Sequence, residues 1–381
     1  MSQAATHHER PQPVIDRADT RVVLTLDAGG TNFAFSALCA GDAIGKPCTL
    51  PSCGSDLGRS LDNLIEGFER LIDSLEVPPS AISFAFPGPA DYPNGVVFNV
   101  GNLPAYADGV AVGPLLEDRF GLPVFLNNDG DLFALGEATA GLLPIVNDRL
   151  AARGTTRRYR NLFAVTLGTG LGGGAVIDGK MLSGDHSAAA EIWRLPSGLD
   201  NELLAEEDAS IRAVRGAYAR AAGIDFDAAP QPADIYQIAI GDAPGDQEAA
   251  TQAFSQLGKA VGETIATATC LLDGLVVIGG GLAGAADLFM PALVESIARS
   301  LRKRDGGSIP RLEHEVFDLR SEEGIDALAA APTRRVTVPG SGRTIECHHT
   351  PRLGVGVSRL GTNHATALGA YAFAIQQLDN Q

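Results

Sequence analysis

Residues 27–32 read Asp-Ala-Gly-Gly-Thr-Asn and follow the apolar, β-branched run Val22–Leu26. Gly29 and Gly30 carry no Cβ, so their N–H groups can approach a phosphate closely, and the Thr31 hydroxyl can hydrogen-bond one. Asp27 repels phosphate but can hold Mg²⁺ through water, because Mg²⁺ favours oxygen ligands and keeps several waters. Alone, this turn reads equally well as a β-hairpin between Val22–Leu26 and Phe33–Leu38. A similar turn recurs at 165–174, Val-Thr-Leu-Gly-Thr-Gly-Leu-Gly-Gly-Gly. Five glycines in 168–174, with Thr169 among them, exceed what a hairpin needs. Two strand-glycine-threonine turns in one chain read as two walls of a single nucleotide phosphate site, with Gly29, Gly30, Thr31, Thr169 and Gly170 towards the phosphates.

Such turns need strands to carry them. Strand-like runs fall at 21–27, 33–38, 43–50, Ile82–Phe86 and Pro123–Leu126. The spacing of Leu61, Leu64, Ile65, Phe68, Leu71 and Ile72 predicts a helix over Leu57–Leu75. Leu132–Ala140 opens another, with Asp131 able to cap it and leave Asp129 free. The second half repeats the logic with a hairpin of Leu162–Leu167 and Gly172–Ile177, then helical stretches near 203–222 and 246–271. Leu275–Ile278 reads as a strand running into Gly279-Gly280-Gly281, followed by helices over 284–303 and Thr362–Gln377. Residues 305–355 are less regular, with strand candidates at Glu313–Phe317, Val336–Val338 and Thr344–Cys347. Alternating strands and helices indicate an α/β layer fold, in two halves that each open with a glycine hairpin.

A chain of 381 residues favours two domains, and 45% hydrophobic against 20% charged residues can fill two cores. The net charge of −17, from 29 basic and 46 acidic residues, disfavours nucleic acid as a partner. The basic run Arg299–Arg304 reads as the solvated face of an amphipathic helix. Thr264–Gly281 is apolar but broken by Asp273, so no membrane span is expected. Five dispersed cysteines and no signal-like apolar start read as a reduced, cytoplasmic protein. Residues 1–20, polar and including His7 and His8, read as a disordered tail. Cys347, His348 and His349 are adjacent on a strand and so point to alternate faces, which argues against a metal site there. No Gly-Lys-Ser/Thr follows the glycine runs, so a Walker loop is excluded, and no helix follows Gly168–Gly173 as a dinucleotide fold would need.

Asp27-Ala-Gly-Gly-Thr, Asn128-Asp129, Gly168-Thr-Gly-Leu-Gly-Gly-Gly, Glu191-Ile192 and Gly279-Gly-Gly-Leu together resemble the ROK family (repressors, open reading frames, kinases). They occur in the family's order over about residues 21–376. The resemblance implies a two-domain actin-like ATPase (ribonuclease H-like) α/β fold with a cleft between domains. The expected division is a small N-terminal domain of 21–128 plus 363–381, and a larger domain of 129–362 with an irregular insertion near 305–355. It also implies ATP and Mg²⁺ as cofactors, a small-molecule sugar as partner, and a homodimer. Asp27 is then a Mg²⁺ residue, Asn32 joins Gly29–Thr31 on the phosphate side, and Gly280 and Gly281 form the adenosine-side loop.

Phosphoryl transfer to a sugar needs a base beside the attacking hydroxyl, and Asp129 fills that role in the resemblance. Asn128 can donate and accept hydrogen bonds to the sugar. Gly88 in Pro-Gly-Pro and Asn102 before Leu-Pro resemble the two sugar-facing loops of the first domain, although plain turn chemistry would use the same residues. Glu191 resembles the family's sugar-binding glutamate, and Glu206, four residues before Ser210, the second one. Glu202 and Glu207 are competitors for that second place. The chain departs from the family at Arg194, where a histidine is usual, and at 195–206, which holds no cysteine. No structural zinc is therefore expected.

The leading expectation is an ATP-dependent hexose kinase acting at O6, with glucose first and fructose, mannose, allose or an N-acetylhexosamine as alternatives. A sugar-binding regulatory or non-catalytic protein is the other class. A repressor is disfavoured because the 26 residues ahead of Asp27 show no helix-turn-helix pattern.

Overall fold

The computed structural model describes residues 15–99, 101, 103–330, 333–348 and 350–380. Asn102, His349 and the first fourteen residues of the expected tail lie outside them.

The first half opens with the antiparallel strands β1 (Val22–Ala28), β2 (Asn32–Cys39) and β3 (Asp42–Pro51), followed by helix α1 (Leu57–Asp73) and strand β4 (Ala81–Ala85). A small sheet of β5 (Ala90–Asp91), β6 (Val96–Val97) and β7 (Val110–Ala111) follows, then α2 (Val112–Phe120) and β8 (Val124–Asn127). The main sheet has the order β3-β2-β1-β4-β8, with β4 and β8 parallel to β1. Asp56 caps α1, and Leu64, Phe68 and Leu71 share one face that packs on this sheet. Phe68 meets Phe35 edge-on at 5.0 Å. Each such buried side chain contributes about 1.5–3 kcal/mol.

The second half begins after α3 (Asp129–Thr139) and α4 (Leu142–Ala152), with β9 (Leu162–Leu167), β10 (Leu171–Ile177) and β11 (Lys180–Met181). Four helices follow, α5 (Ala205–Asp208), α6 (Ile211–Ala222), α7 (Pro232–Ile240) and α8 (Gln247–Thr269). Then come β12 (Leu275–Gly279), α9 (Ala286–Ala298), the ribbon β13 (Ser300–Arg302) with β14 (Ser308–Pro310), β15 (Glu315–Asp318) and α10 (Glu322–Ala329). The ribbon β16 (Thr333–Thr337) with β17 (Thr344–His348), β18 (Arg352–Val357) and α11 (Thr362–Asp379) close the chain. The sheet order β11-β10-β9-β12-β18-β15 reproduces the first sheet's order and adds one strand.

Helix α11 joins the halves. Its Leu368, Tyr371 and Ala374 pack with Val23, Leu38 and Ala81 of the first sheet, while Ala365 and Ala372 belong to a cluster with α3 and β12. It crosses α3 backbone to backbone: a methyl on Gly136 would strike the Ala365 carbonyl, and one on Gly369 the Leu132 carbonyl.

Four expectations need correction. Residues 15–20 are not a free tail: Ile15 packs beside Leu38 and Leu368, and Arg17 pairs with Asp42 at 2.7 Å. The helix expected over 284–303 stops at Ala298, so the basic run lies at the start of a β-ribbon. There the Arg299 guanidinium reaches back to the buried carboxylate of Glu263. The stretch 305–355 is not one irregular insertion either, because β15 and part of β18 fall within it and extend the second sheet. Finally, Asn128 and not Asp131 caps α3, its Oδ1 accepting the Gly130 N–H at 2.8 Å.

Candidate active site

The second glycine turn shapes a cleft of about 520 Å³ lined by Asn128, Asp129, Thr166, Gly168–Gly173, Glu191, Trp193, Glu206, Gly280 and Thr362. The run divides in two. Gly168 and Thr169 stand at the turn, where a side chain at 168 would meet open space. Gly173 and Gly174 lie in β10 against the start of α3: a methyl on Gly174 would run into the Gly130 carbonyl, and one on Gly130 into that of Gly173. That close approach sets Asp129 at the cleft wall, exposed, with its Oδ1 accepting its neighbour's N–H, Gly130, at 2.8 Å.

Asp129 also lines a second cavity of about 440 Å³, with Asp27, Thr362 and Asn363. Asp27 ends β1 with its carboxylate open to this space, and Asn363 Nδ2 donates to its Oδ2 at 2.9 Å. The surrounding walls thin its hydration, and the facing charge of Asp129 adds to this, so its proton affinity is raised. A third cavity, about 620 Å³, is lined by Gly279–Gly281, Ala283, Gly284 and Gly361–His364. Gly280 sits at φ 87° with no room for a Cβ against Leu167, and its N–H donates to Thr362 Oγ1 at 2.9 Å. Thr362 lines all three spaces.

The other glycine turn is held from behind. Ser52, 1% exposed, donates through Oγ to Gly30 O at 2.6 Å and through N–H to Thr31 O at 2.9 Å. Gly29, Gly30, Thr31 and Asn32 line none of these three cavities.

Glu191 and Glu206 both face the cleft. Trp193 Nε1–H donates to Glu191 Oε2, and the Arg194 guanidinium stacks on the indole at 4.3 Å. Arg194 thus braces Trp193. Glu206 Oε2 accepts the Leu171 N–H at 3.1 Å, which ties this carboxylate to the second glycine turn. Its competitor Glu207 turns away to Arg212 at 2.6 Å, and Glu202 is exposed outside the cleft. The cysteine-free loop closes through backbone bonds, Ser197 N–H to Leu203 O at 2.8 Å and Ala205 N–H to Leu195 O at 2.7 Å. Ser197 Oγ bonds Asp208 Oδ2 at 2.5 Å. Gly88 lies next to Tyr92, whose hydroxyl donates to Phe86 O at 2.9 Å and whose proton affinity is raised by burial.

Sequence reasoning gave no role to Thr362, Asn363, Ser52, Tyr92 or Trp193. Thr362 and Asn363 had a signal available, since they start the helix that closes the chain, where exposed N–H groups and short polar side chains gather.

Mixed β-sheets of order 3-2-1-4-5, repeated around a cleft, define the class: this is an actin-like ATPase fold. The chain belongs to the ROK family, whose sequence profile matches residues 23–318. A glucokinase from Parabacteroides distasonis of known structure is 46% identical, with a TM-score of 0.87 over 94% of this chain and 99% of that one. The glucokinase of Streptomyces coelicolor is 32% identical over 209 residues, 49% of this chain. The chain spans 60% of the length of that enzyme. A ROK glucokinase from Streptomyces griseus, solved with glucose and AMPPNP, covers 93% of this chain and 99% of its own at TM-score 0.57, and at 19% identity it shows the fold.

Proposed function

We propose that this protein is an ATP-dependent sugar kinase that phosphorylates a hexose, glucose first, at O6. The observation that carries the reading is one cleft lined by Asp129, Glu191 and Glu206 together with Gly168–Gly170. Relatives named as glucokinases, and the AMPPNP and glucose bound to the Streptomyces griseus protein, support it.

The residues fit a nucleotide and Mg²⁺. The glycine-lined third cavity is large enough to admit a nucleoside, and Asp27 offers a hard carboxylate oxygen not taken by Asn363. Asp27 would hold Mg²⁺ through water, and Mg²⁺, when bound, neutralises charge on the phosphates. Thr169 and the backbone of Gly168–Gly170 would orient the transferring end, with Gly29–Asn32 as the second phosphate-side turn. Gly280 and Gly281 would receive the adenosine. Asn128, Glu191 and Glu206 would hold sugar hydroxyls, with Gly88 and Asn102 in the loops of the first half. Asp129 would then take the proton from the attacking O6 hydroxyl, and closure of the halves would keep water out.

A coupled ADP-release assay with a panel of hexoses and N-acetylhexosamines tests the reading. ADP formed only with hexose present is the expected result. No ADP with any sugar on the panel, together with measurable sugar binding, would favour the regulatory or non-catalytic reading.

A further inference from the structure

Asp131 is a buried acid that the catalytic scheme above does not use. It is 4% exposed, in the first turn of α3, and its Oδ1 has no hydrogen-bond partner. The groups acting on it are Glu191, just ahead of the short 3₁₀ turn Ile192–Arg194, and Asp129 on its own helix; Asp131 in turn acts on Tyr92. None of the groups acting on Asp131 is cationic. The face of β10 pressed on this turn is glycine, Gly173–Gly174. Lys180 on β11 and His364 on α11, from the other elements packed on α3, are exposed and do not figure among them.

A buried carboxylate with no cation acting on it resists ionisation. An ionised Asp131 would leave a buried charge with no hydrogen-bond donor at Oδ1, whereas the protonated acid carries no charge there. We infer that Asp131 is a positioning residue that holds a proton in the folded protein, and that its ionisation switches the site off at alkaline pH. Burial first, then the charges of Glu191 and Asp129, push its carboxyl up to about 8, which places the switch just above neutrality. Loss of this proton adds a negative charge behind Asp129 and Glu191. That charge repels the Asp129 and Glu191 carboxylates and shifts them from their places in the cleft. The inference rests on the kinase reading for its consequence, but not for the titration itself.

Two measurements test it. Carbon-13 NMR of the aspartate carboxyls in the intact protein is expected to show one carbon titrating near pH 8, lost in Asp131→Asn and shifted down in Glu191→Gln. The absence of any carboxyl titrating above pH 7 would overturn the inference, whatever the enzyme does. In the second, kcat/KM for the hexose is followed from pH 6.5 to 9.5. The wild type is expected to lose about tenfold by pH 9, while Asp131→Asn, which mimics the neutral acid, loses its alkaline limb. The same alkaline limb in both proteins would overturn the switch. If Asp131→Asn does not fold, the wild-type titration and its shift in Glu191→Gln decide the matter. A carboxyl titration near pH 8 in a protein that phosphorylates no sugar would sink the kinase reading and leave the proton assignment standing.

Discussion

The two glycine hairpins look alike in sequence and do different work. At Asp27–Asn32 the glycines line none of the three cavities, the charge lies at the strand end, and a buried serine pins two of the turn's carbonyls. At Gly168–Gly174 the turn itself lines the cleft, and its last two glycines admit the backbone of α3. The first hairpin therefore presents a group, Asp27, to the second cavity. The second hairpin sets the distance between its own turn and Asp129. Repetition of a motif within a duplicated fold does not make the copies equivalent, because each glycine answers to what is packed behind it.

Six substitutions sharpen or break that contrast. Asp129→Asn, on the helix that the second hairpin positions, is expected to lower kcat by about 10³-fold with sugar affinity retained, read by ADP release and calorimetry. Gly174→Ala should cost about 3 kcal/mol of stability by forcing α3 off β10, whereas Gly168→Ala, facing open space, should change stability by less than about 0.5 kcal/mol. Chemical denaturation of the pair would refute the division of labour if both behaved alike. Asp27→Asn is expected to raise KM for MgATP on the order of ten- to a hundredfold while the KM for sugar stays within experimental error.

The pH dependence of stability reports on the helix start behind the second hairpin. Because the proton affinity of Asp131 is higher folded than unfolded, the folded state binds the extra proton, and that stabilisation is lost as pH rises towards about 8. Thermal unfolding midpoints should therefore decline between pH 5 and 8 in the wild type more steeply than in Asp131→Asn. The smallest effect belongs to the first hairpin. Ser52→Ala should cost about 1 kcal/mol and loosen the Gly30–Thr31 turn, visible as faster amide exchange there.

Much of this was legible in the sequence because the informative features are local. A glycine turn after an apolar run, or Asn-Asp at a strand end, carries its geometry with it. What escaped depended on distant partners. Asn128, Asp129 and Asp131 can each cap a helix, and the choice falls to Asn128 once Gly130 meets Gly173 and Asp131 is drawn inside. Strand β18 was hidden because Gly354 and Gly356 dilute its apolar signal, and these glycines make room for Leu319 and Leu142. Helix α7 escaped although Pro232 starts it and Gly241, at φ 86°, ends it. Arg299 looked like part of a solvated helix face, and nothing in its neighbours reveals that Glu263, thirty-six residues earlier, calls it inward.

The central claim is that the two hairpins and Asp129 enclose one site that moves a phosphoryl group to a sugar and not to water. Phosphorus-31 NMR of the wild-type protein with Mg²⁺, ATP and glucose tests it most directly. The account predicts ADP and hexose 6-phosphate rising in equal amounts with no inorganic phosphate. ADP accompanied by inorganic phosphate alone would contradict it.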